Sequence, residues 1–303
     1  MSLLPFGFMV SSWNINGLRR VNSPDEHAKT DKTDKSDKTD KIEENNQLYN
    51  YIKKYKPDIL FVQETRIMEA EDENKFASYY ENYNGYFDSL SYNSAGVGVY
   101  IKNTFADELE SNDITMELYT LKKDFISTNK DIFKGRIITM EFPKFYIINT
   151  YVVNSGSNLE KLEDRAVWDE QLSNYLQHLK KDKPLIWCGD LNVANHDIDL
   201  AHPAANKNKT AGFTDQERDS FKKILVKSYL IDIYRYMNPN EHKYSFWSNL
   251  RKENRTKNIG WRLDYMIVSR DFMELIDNEN LYSDINNDVH GSDHCPVELY
   301  LNL

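Results

Sequence analysis

Short apolar runs of strand length recur from one end of this 303-residue chain to the other, and amphipathic segments with helical spacing separate them. Apolar runs of about four to eight residues are typical of strands buried on both faces, and their alternation with helices predicts an α/β fold. The predicted strands are residues 8–15, 58–64, 96–102, 136–142, 144–152, 184–192, 242–247, 262–269 and 296–303. The predicted helices are residues 42–56, 158–182 and 215–227.

A low-complexity stretch interrupts this pattern after the first strand. Residues 22–47 are built around a TDK/SDK tripeptide repeat, with little apolar content before Ile42. Such a stretch cannot bury enough apolar area to offset the entropy lost on ordering, so a disordered insert is predicted at about residues 22–47. No other linker is evident in the sequence, and a single domain spanning residues 1–303 is expected.

The acidic balance of the chain limits the partners that it can bind. The net charge is −10 and the pI is about 5.3. These values argue against tight, non-specific binding of nucleic acid, because phosphate binding depends on cationic surface. Residues 251–262 are nevertheless locally basic, and an acidic balance is expected where carboxylates gather around a metal. The charge therefore does not exclude a DNA enzyme.

The cysteine content and the absence of long apolar runs bear on location. Cys188 and Cys295 are too few for a disulfide scaffold, so a reducing intracellular compartment is expected. A nuclear location is expected, with a mitochondrial one as the alternative. No run approaches the roughly 20 apolar residues of a membrane helix, so no membrane partner is expected. Both cysteines lie beside strand motifs and are predicted to be buried packing residues.

Polar side chains occur where the apolar strands end. The residues in question are Asn14, Asn16, Glu64, Asp190, Asn192, Asp293 and His294, with Asp264 inside the run RLDYMIVS. Groups at strand ends of α/β sheets converge on a shared cleft, and carboxylates and amides suit a hard cation and a phosphate. Each motif alone has a structural alternative: GDLN could be a turn after a strand. Asp264 is predicted to be buried and to need a partner, for which His294 is the candidate.

Eight segments, in this order, carry a resemblance to a known family. They are SSWNINGLR (11–19), FVQETR (61–66), NTYVVNSG (149–156), WCGDLNVA (187–194), NKTAGFTDQER (208–218), YSFW (244–247), GWRLDYMIVS (260–269) and GSDHCPV (291–297). With them the chain resembles the exonuclease III/AP endonuclease family of the endonuclease–exonuclease–phosphatase (DNase I-like) superfamily. The resemblance implies an α/β fold, a four-layer α/β/β/α sandwich with two packed mixed β-sheets.

The resemblance also implies roles for individual residues. It makes Glu64 the main ligand of a Mg²⁺ ion, for which Mn²⁺ is a substitute, with Asn16 and Asp293 beside it. Asp190 would activate or orient the attacking water. The other catalytic or phosphate-contacting positions would be Asn14, Asn192, His294 oriented by Asp264, Tyr151 and Asn154. The pocket for an extruded abasic sugar would be formed by Phe246, Leu250 and Trp261.

The implied function is base-excision repair of double-stranded DNA by a monomer. The reaction would be Mg²⁺-dependent hydrolysis of the phosphodiester bond 5′ to an abasic site, leaving a 3′-OH. Additional 3′-phosphodiesterase and 3′–5′ exonuclease activities are left open. Two alternative functions remain open. The first is a related hydrolase that acts on a phosphoinositide or RNA, which the acidic net charge favours. The second is a non-catalytic protein that binds damaged DNA. The presence of Glu64, Asp190, Asp264 and His294 together argues against the second alternative.

Overall fold

A computed structural model describes residues 4, 6–22, 46–67, 70–89, 95–125, 130–274 and 281–302. The insert predicted at about residues 22–47 lies outside the described residues except at its ends, so that prediction stays untested. Asn22 follows the first helix, and the side chain of Asn46 caps the next helix by accepting a hydrogen bond from the backbone of Tyr49 at 2.8 Å.

Twelve strands and nine helices can be assigned within the described residues. The strands are β1 Phe8–Asn14, β2 Ile59–Gln63, β3 Tyr83–Asp88, β4 Val97–Lys102, β5 Glu117–Tyr119, β6 Ile137–Glu141, β7 Tyr146–Tyr151, β8 Leu185–Asp190, β9 Leu230–Asp232, β10 Asp264–Ser269, β11 Tyr282–Ile285 and β12 Val297–Leu301. The helices are α1 Leu18–Val21, α2 Gln47–Tyr55, α3 Ala70–Ala77, α4 Asn103–Ser111, α5 Leu162–Lys180, α6 Pro203–Asn206, α7 Asp215–Lys227, α8 Ile233–Met237 and α9 Arg270–Met273.

The strands form two mixed sheets of six strands each. The first sheet has the order β11-β12-β1-β2-β4-β3, and the second has the order β5-β6-β7-β8-β10-β9. One parallel pair lies in each sheet, β1 with β2 and β7 with β8. Helices cover the outer faces, with α2 against the first sheet and α5 and α7 against the second. The predicted four-layer α/β/β/α architecture is confirmed.

The apolar runs of the sequence correspond to strands that are covered on both faces. In β2, Ile59 and Phe61 face the core between the sheets, while Leu60 and Val62 face the helices. This alternation follows from the two-residue period of a strand. Because both sets are buried, the four residues 59–62 are all apolar. Cys188 and Cys295 lie in the core between the sheets as predicted, and both are fully buried.

Residues 242–247, which the sequence predicted as a strand, do not form one. Phe246 makes only isolated bridges, to Trp261 and to His294. The hydroxyl oxygen of Ser245 accepts the backbone N–H groups of Leu263 and Asp264 at 3.0 Å each. A side chain therefore takes the place of the carbonyl that a strand partner would have supplied, and the ladder does not extend.

The predicted helix at residues 158–182 begins later, at Leu162. Asn158 and Leu159 have φ values of 55° and 62°, which are incompatible with a right-handed helix. Ser157–Leu159 instead form a separate short turn before α5 begins. The helix at residues 215–227 is confirmed with its predicted bounds, since Thr214 and Glu217 form a capping box at its start.

A buried ion-pair network anchors the loop that precedes β10. Arg262 and Asp199 are fully buried, and Arg262 donates to Asp199 at 2.8 Å and to Asp232 at 2.6 Å. Arg235 donates to the same Asp199 carboxylate at 2.7 Å. Burial opposes ionisation, but the two guanidinium groups outweigh it and lower the pKa of Asp199 to about 2.

We expect Asp199→Asn to lower the free energy of unfolding by about 3–5 kcal/mol at pH 7, because two buried guanidinium groups lose their shared carboxylate. A carboxyl whose pKa is lower in the folded chain contributes stability that is present above about pH 4 and lost as the pH falls towards 2. The difference in unfolding free energy between the wild type and Asp199→Asn should therefore shrink by about 2 kcal/mol between pH 7 and pH 2, with about half of the loss reached at pH 3. Urea unfolding followed by tryptophan fluorescence at pH 7, 4 and 3 measures both effects.

The control for this experiment is Asp197→Asn, which removes a carboxylate that is 71% exposed and pairs with Arg218. Little change is expected there, because exposed ion pairs contribute at most about 1 kcal/mol. A difference between wild type and Asp199→Asn that stays constant from pH 7 to pH 3 would contradict the linkage.

Candidate active site

A cleft of about 620 Å³ opens at the ends of β1, β2, β7 and β8. We call it the catalytic cleft. Most of the residues predicted from the sequence line it, namely Asn16, Glu64, Tyr151, Asn154, Asp190, Asn192, Phe246, Trp261, Asp293 and His294. Three of them have left-handed backbones, with φ of 51° at Asn16, 52° at Glu64 and 48° at Asn192. Strain of this kind in non-glycine residues clusters at functional sites.

Asn14 holds two carboxylates of the cleft in place. Its amide nitrogen donates to Glu64 at 3.0 Å and to Asp190 at 2.9 Å. Its amide oxygen accepts the backbone N–H of Asn16 at 3.1 Å. Both amide hydrogens are thus engaged, so the predicted direct contact of Asn14 with a phosphate finds no free donor in this geometry. The structure instead supports a role for Asn14 in orienting the two carboxylates.

Asp190 is a buried carboxyl that faces a second one. In the antiparallel register of β8 and β10, Asp190 lies directly opposite Asp264. Its Oδ1 accepts the backbone N–H of Asn192 at 3.0 Å. Burial, together with the charges of Asp264 and Glu64, raises the pKa of Asp190 to about 7, although His294 opposes the shift. A carboxyl with a pKa near neutrality can accept a proton from water.

His294 is paired with the buried carboxylate of Asp264, as the sequence predicted. The Nδ1 of His294 lies 2.8 Å from Asp264 Oδ2, and its Nε2 lies 3.9 Å from Asp190 Oδ2. The hydroxyl of Ser245 donates to the same Asp264 oxygen at 2.6 Å. Burial disfavours the imidazolium, but the charges of Asp264 and Asp190 outweigh it and raise the pKa of His294 to about 10.

Asp190, Asp264 and His294 are close enough to hold a metal ion, since their ligand atoms lie within 4.8 Å of one another. A protonated imidazole cannot be a ligand, however, and the Nδ1 of His294 is already engaged by Asp264. An imidazolium between two carboxylates accounts for this group better than a metal does.

The oxygen-rich side of the cleft suits a hard cation. Asp293 accepts from the amide of Asn16 at 2.8 Å. Glu64 accepts from the Tyr151 hydroxyl at 3.1 Å and from Arg66 at 2.6 Å. Burial opposes ionisation of Asp293, but the charge of His294 and the hydrogen bond from Asn16 lower its pKa. Mg²⁺ takes one or two carboxylates and keeps several waters, which this donor set can provide.

Tyr151 acts on Glu64 as a neutral donor. Burial and the neighbouring charges of Glu64 and Asp190 raise the pKa of Tyr151 well above its usual value, so the phenol keeps its proton. The guanidinium of Arg136 lies 4.9 Å from the ring centre and donates to the Tyr151 carbonyl at 3.1 Å. The sequence interpretation placed Arg136 at the start of the predicted strand 136–142 but gave it no role in the site.

A second arginine missed from the sequence, Arg165 of α5, ties the loops after β7 and β8 together. Its fully buried guanidinium donates to the carbonyls of Val153 at 3.1 Å, Leu191 at 3.1 Å and Asn192 at 3.0 Å. Asp169 provides its counter-charge at 2.8 Å. The loops that it joins carry Asn154 and Asn192, whose amides are bonded to each other at 2.9 Å. The sequence did contain a signal for this role, because Arg165 occupies an inward-facing position of a predicted amphipathic helix.

The aromatic side of the cleft contains two of the three predicted pocket residues. Trp261 packs edge-on against Phe213, and Phe246 lies 4.8 Å from the His294 ring. Leu250 does not join them: its side chain is 95% exposed and does not line the cleft. It lies in an exposed turn with Asn249. The prediction that Leu250 helps to enclose the pocket is therefore wrong for this geometry.

Comparison of the sequence with known protein families identifies the family to which this chain belongs. The endonuclease/exonuclease/phosphatase family matches residues 11–294. The chain belongs to this family.

Particular relatives narrow the similarity. The chain is 40% identical over 257 residues to a DNA-(apurinic or apyrimidinic site) endonuclease of Dictyostelium discoideum, an alignment that covers 84% of this chain and 65% of that protein. It is 36% identical over 293 residues to an exodeoxyribonuclease of Bacillus subtilis, covering 96% and 98% of the two chains. An AP endonuclease structure from Leishmania major superposes with a TM-score of 0.77 at 25% identity, covering 98% of this chain and 88% of that one.

Proposed function

We propose that this protein is a DNA-repair endonuclease that hydrolyses, with Mg²⁺, the phosphodiester bond 5′ to an abasic site in double-stranded DNA and leaves a 3′-OH. The main observation in support of this proposal is that Asp190, the His294–Asp264 pair and Glu64 lie together in one cleft. The similarity to AP endonucleases and exodeoxyribonucleases over most of the chain supports the same activity.

The residues of the cleft divide the reaction between them. Asp190 accepts the proton of the attacking water. The His294 imidazolium, held at Nδ1 by Asp264, presents Nε2–H to a phosphate oxygen and offsets charge that develops there. Asn192 and Asn154 are preorganised amide donors on the opposite wall. Glu64, Asn16 and Asp293 would hold the cation, which when bound supplies charge stabilisation to the phosphoryl and leaving oxygens.

Selection of abasic DNA would rest on the aromatic wall formed by Phe246 and Trp261. An abasic nucleotide costs little to extrude, because it has no base pairing or stacking to lose. The rings offer apolar area to the bare deoxyribose. We extend the proposal to 3′-phosphodiesterase and 3′–5′ exonuclease activity, because the bond that breaks is of the same kind.

The decisive experiment is incubation of a duplex that contains one tetrahydrofuran abasic analogue with the protein in Mg²⁺, Mn²⁺ or EDTA. The analogue cannot undergo β-elimination, so any cut is hydrolytic. We expect one nick 5′ to the analogue in either cation, no nick in EDTA, and no nick in the matched intact duplex. Absence of cutting by folded protein would contradict the proposal and direct attention to phosphoinositide and RNA substrates.

Arg165→Lys should lower kcat by about 10- to 100-fold, because a lysine keeps the charge but cannot reach three carbonyls, and small misplacements of positioned groups have effects of this size. The rate is measured on the tetrahydrofuran duplex at a temperature where unfolding curves show the variant fully folded. Lys161→Arg, at an exposed position just before the same helix, is the matched control and should be unaffected. An unchanged kcat in Arg165→Lys would contradict the positioning role.

The proposed substrate also bears on location and assembly. We propose an intracellular site of action, in the nucleus or the mitochondrion, and action as a monomer. Imaging of the tagged protein and sedimentation analysis test these two points. Among the described residues, no helix has the length and apolar character needed to cross a membrane.

A further inference from the structure

A second cavity, of about 690 Å³, lies directly beside the catalytic cleft. The two share a wall: Trp247 and Asn249 line the second cavity, while Ser248 between them lines the catalytic cleft. Ser292 faces the second cavity, and its neighbour Asp293 faces the cleft. Consecutive Cα atoms are about 3.8 Å apart, so a polymer that occupies the cleft reaches the second cavity within a short step.

The two cavities differ in whether carboxylates line them. The catalytic cleft contains the carboxylates of Glu64, Asp190 and Asp293 beside the cationic side chains of Arg66, Lys209 and His294. The second cavity has no Asp or Glu among its described lining residues, and its ionisable side chains are Arg20, Lys252, Arg255 and His290. We call it the basic cavity. In a chain with a net charge of −10, a cavity lined by cations and by no carboxylate is suited to an anion.

The cations of the basic cavity are available to a ligand. Arg20 and Lys252 are exposed, and their side chains make no hydrogen bond or ion pair with any residue that the structure describes, although the charge of Arg20 helps to lower the pKa of Asp293 in the neighbouring cleft. Arg255 is a fixed part of the wall: it stacks on Trp247 and donates to the carbonyls of Asn287 and Ser292. None of these acceptors is a carboxylate, so the charge of Arg255 is not neutralised by an ion pair among the described residues.

We propose that the basic cavity is a second phosphate-binding site, which takes backbone phosphates of the nucleic acid strand that leaves the catalytic cleft. The proposal rests on the proposed function for its substrate. The cavity has the size of sites that hold ligands as large as a nucleotide, and it supplies amides beside its cations. Free polyphosphate presents the same chemistry and is the competing source of ligand. Because the basic cavity lies away from the reacting atoms, we expect it to increase the affinity for DNA and not the rate of the chemical step.

The test is the salt dependence of binding by the double variant Arg20→Gln/Lys252→Gln. Affinity for a fluorescent tetrahydrofuran duplex is measured by anisotropy in EDTA between 50 and 200 mM KCl. The slope of log K against log[salt] should become shallower by about 2, roughly one for each cation removed. Catalytic efficiency in Mg²⁺ should fall through KM. Lys223→Gln/Lys227→Gln, exposed positions on α7 that line neither cavity, carry the same charge change and should leave the slope unaltered.

Tripolyphosphate separates the two sources of ligand. It should compete with DNA for the wild type and compete less well for the double variant, which together with the shallower slope supports a strand-binding site. An unchanged slope in a double variant whose wild-type parent binds and cuts abasic DNA overturns the inference and leaves the proposed function intact, even if tripolyphosphate binds. A wild type that neither binds nor cuts abasic DNA overturns the proposed function itself.

Discussion

Asp190→Asn is expected to reduce kcat on the tetrahydrofuran duplex by about 10³–10⁴, because general-base catalysis contributes up to that order. Asparagine keeps the shape of the side chain, but its single amide oxygen can replace only one of the two acceptor oxygens of Asp190, which in the wild type accept from Asn14 at 2.9 Å and from the backbone of Asn192 at 3.0 Å. It cannot accept the proton of the attacking water. Single-turnover rates at saturating enzyme isolate the chemical step from product release.

The matched control is Ser248→Ala, which lines the same cleft on its aromatic side and touches none of the carboxylates. Its rate should stay within a few-fold of the wild type. Binding of the duplex in EDTA should persist in Asp190→Asn, because removal of a negative charge from the cleft does not oppose phosphate binding. A variant that binds the duplex and cuts it at more than a tenth of the wild-type rate would remove Asp190 from its assigned role.

His294→Gln should lower kcat by a factor of about 10²–10⁴, and Asp264→Asn should lower it by a smaller factor. In the proposed mechanism the imidazolium contacts the phosphate, whereas Asp264 acts through the imidazolium: the Asp264 carboxylate lies 2.8 Å from Nδ1 and favours the charged ring. Because the two residues act as one unit, the double variant should lose no more activity than His294→Gln alone. Rates of the four proteins on the tetrahydrofuran duplex complete this cycle.

Additive losses in the cycle would contradict the view that Asp264 works by orienting and charging His294. Asp264 is buried and also accepts from Ser245, so stability has to be followed in parallel. The rates should therefore be compared at a temperature at which unfolding curves show all four proteins folded. Under those conditions a loss of activity reports on the site and not on the folded fraction.

The layers and central strands were predictable because they are buried on both faces. The runs at residues 58–64 and 184–192 became β2 and β8, each in the middle of its sheet. The strands that the sequence did not predict are β3, β5, β9 and β11, and these are the edge strands of the two sheets. An edge strand such as Glu117–Tyr119 has no fully buried residue, so it carries no continuous apolar run.

The composition of the candidate site was likewise readable from the sequence. Carboxylates and amides at strand ends converge once two sheets pack, and the partnership of His294 with Asp264 follows from the need of a buried carboxylate for a partner. Of the predicted residues, Leu250 is the one that points away, because a turn has no period from which its outward direction could be inferred.

The contacts between residues that are far apart in the chain were decided by the tertiary structure alone. The bridge from Asn14 to Asp190 spans 176 positions, and Arg165 reaches carbonyls of two separate loops. The basic cavity likewise draws Arg20 and Lys252 from distant segments. Sequence determined which side chains are available and which strands are buried, because these depend on local composition and period. Their pairing depends on how the layers pack, and no local pattern encodes it.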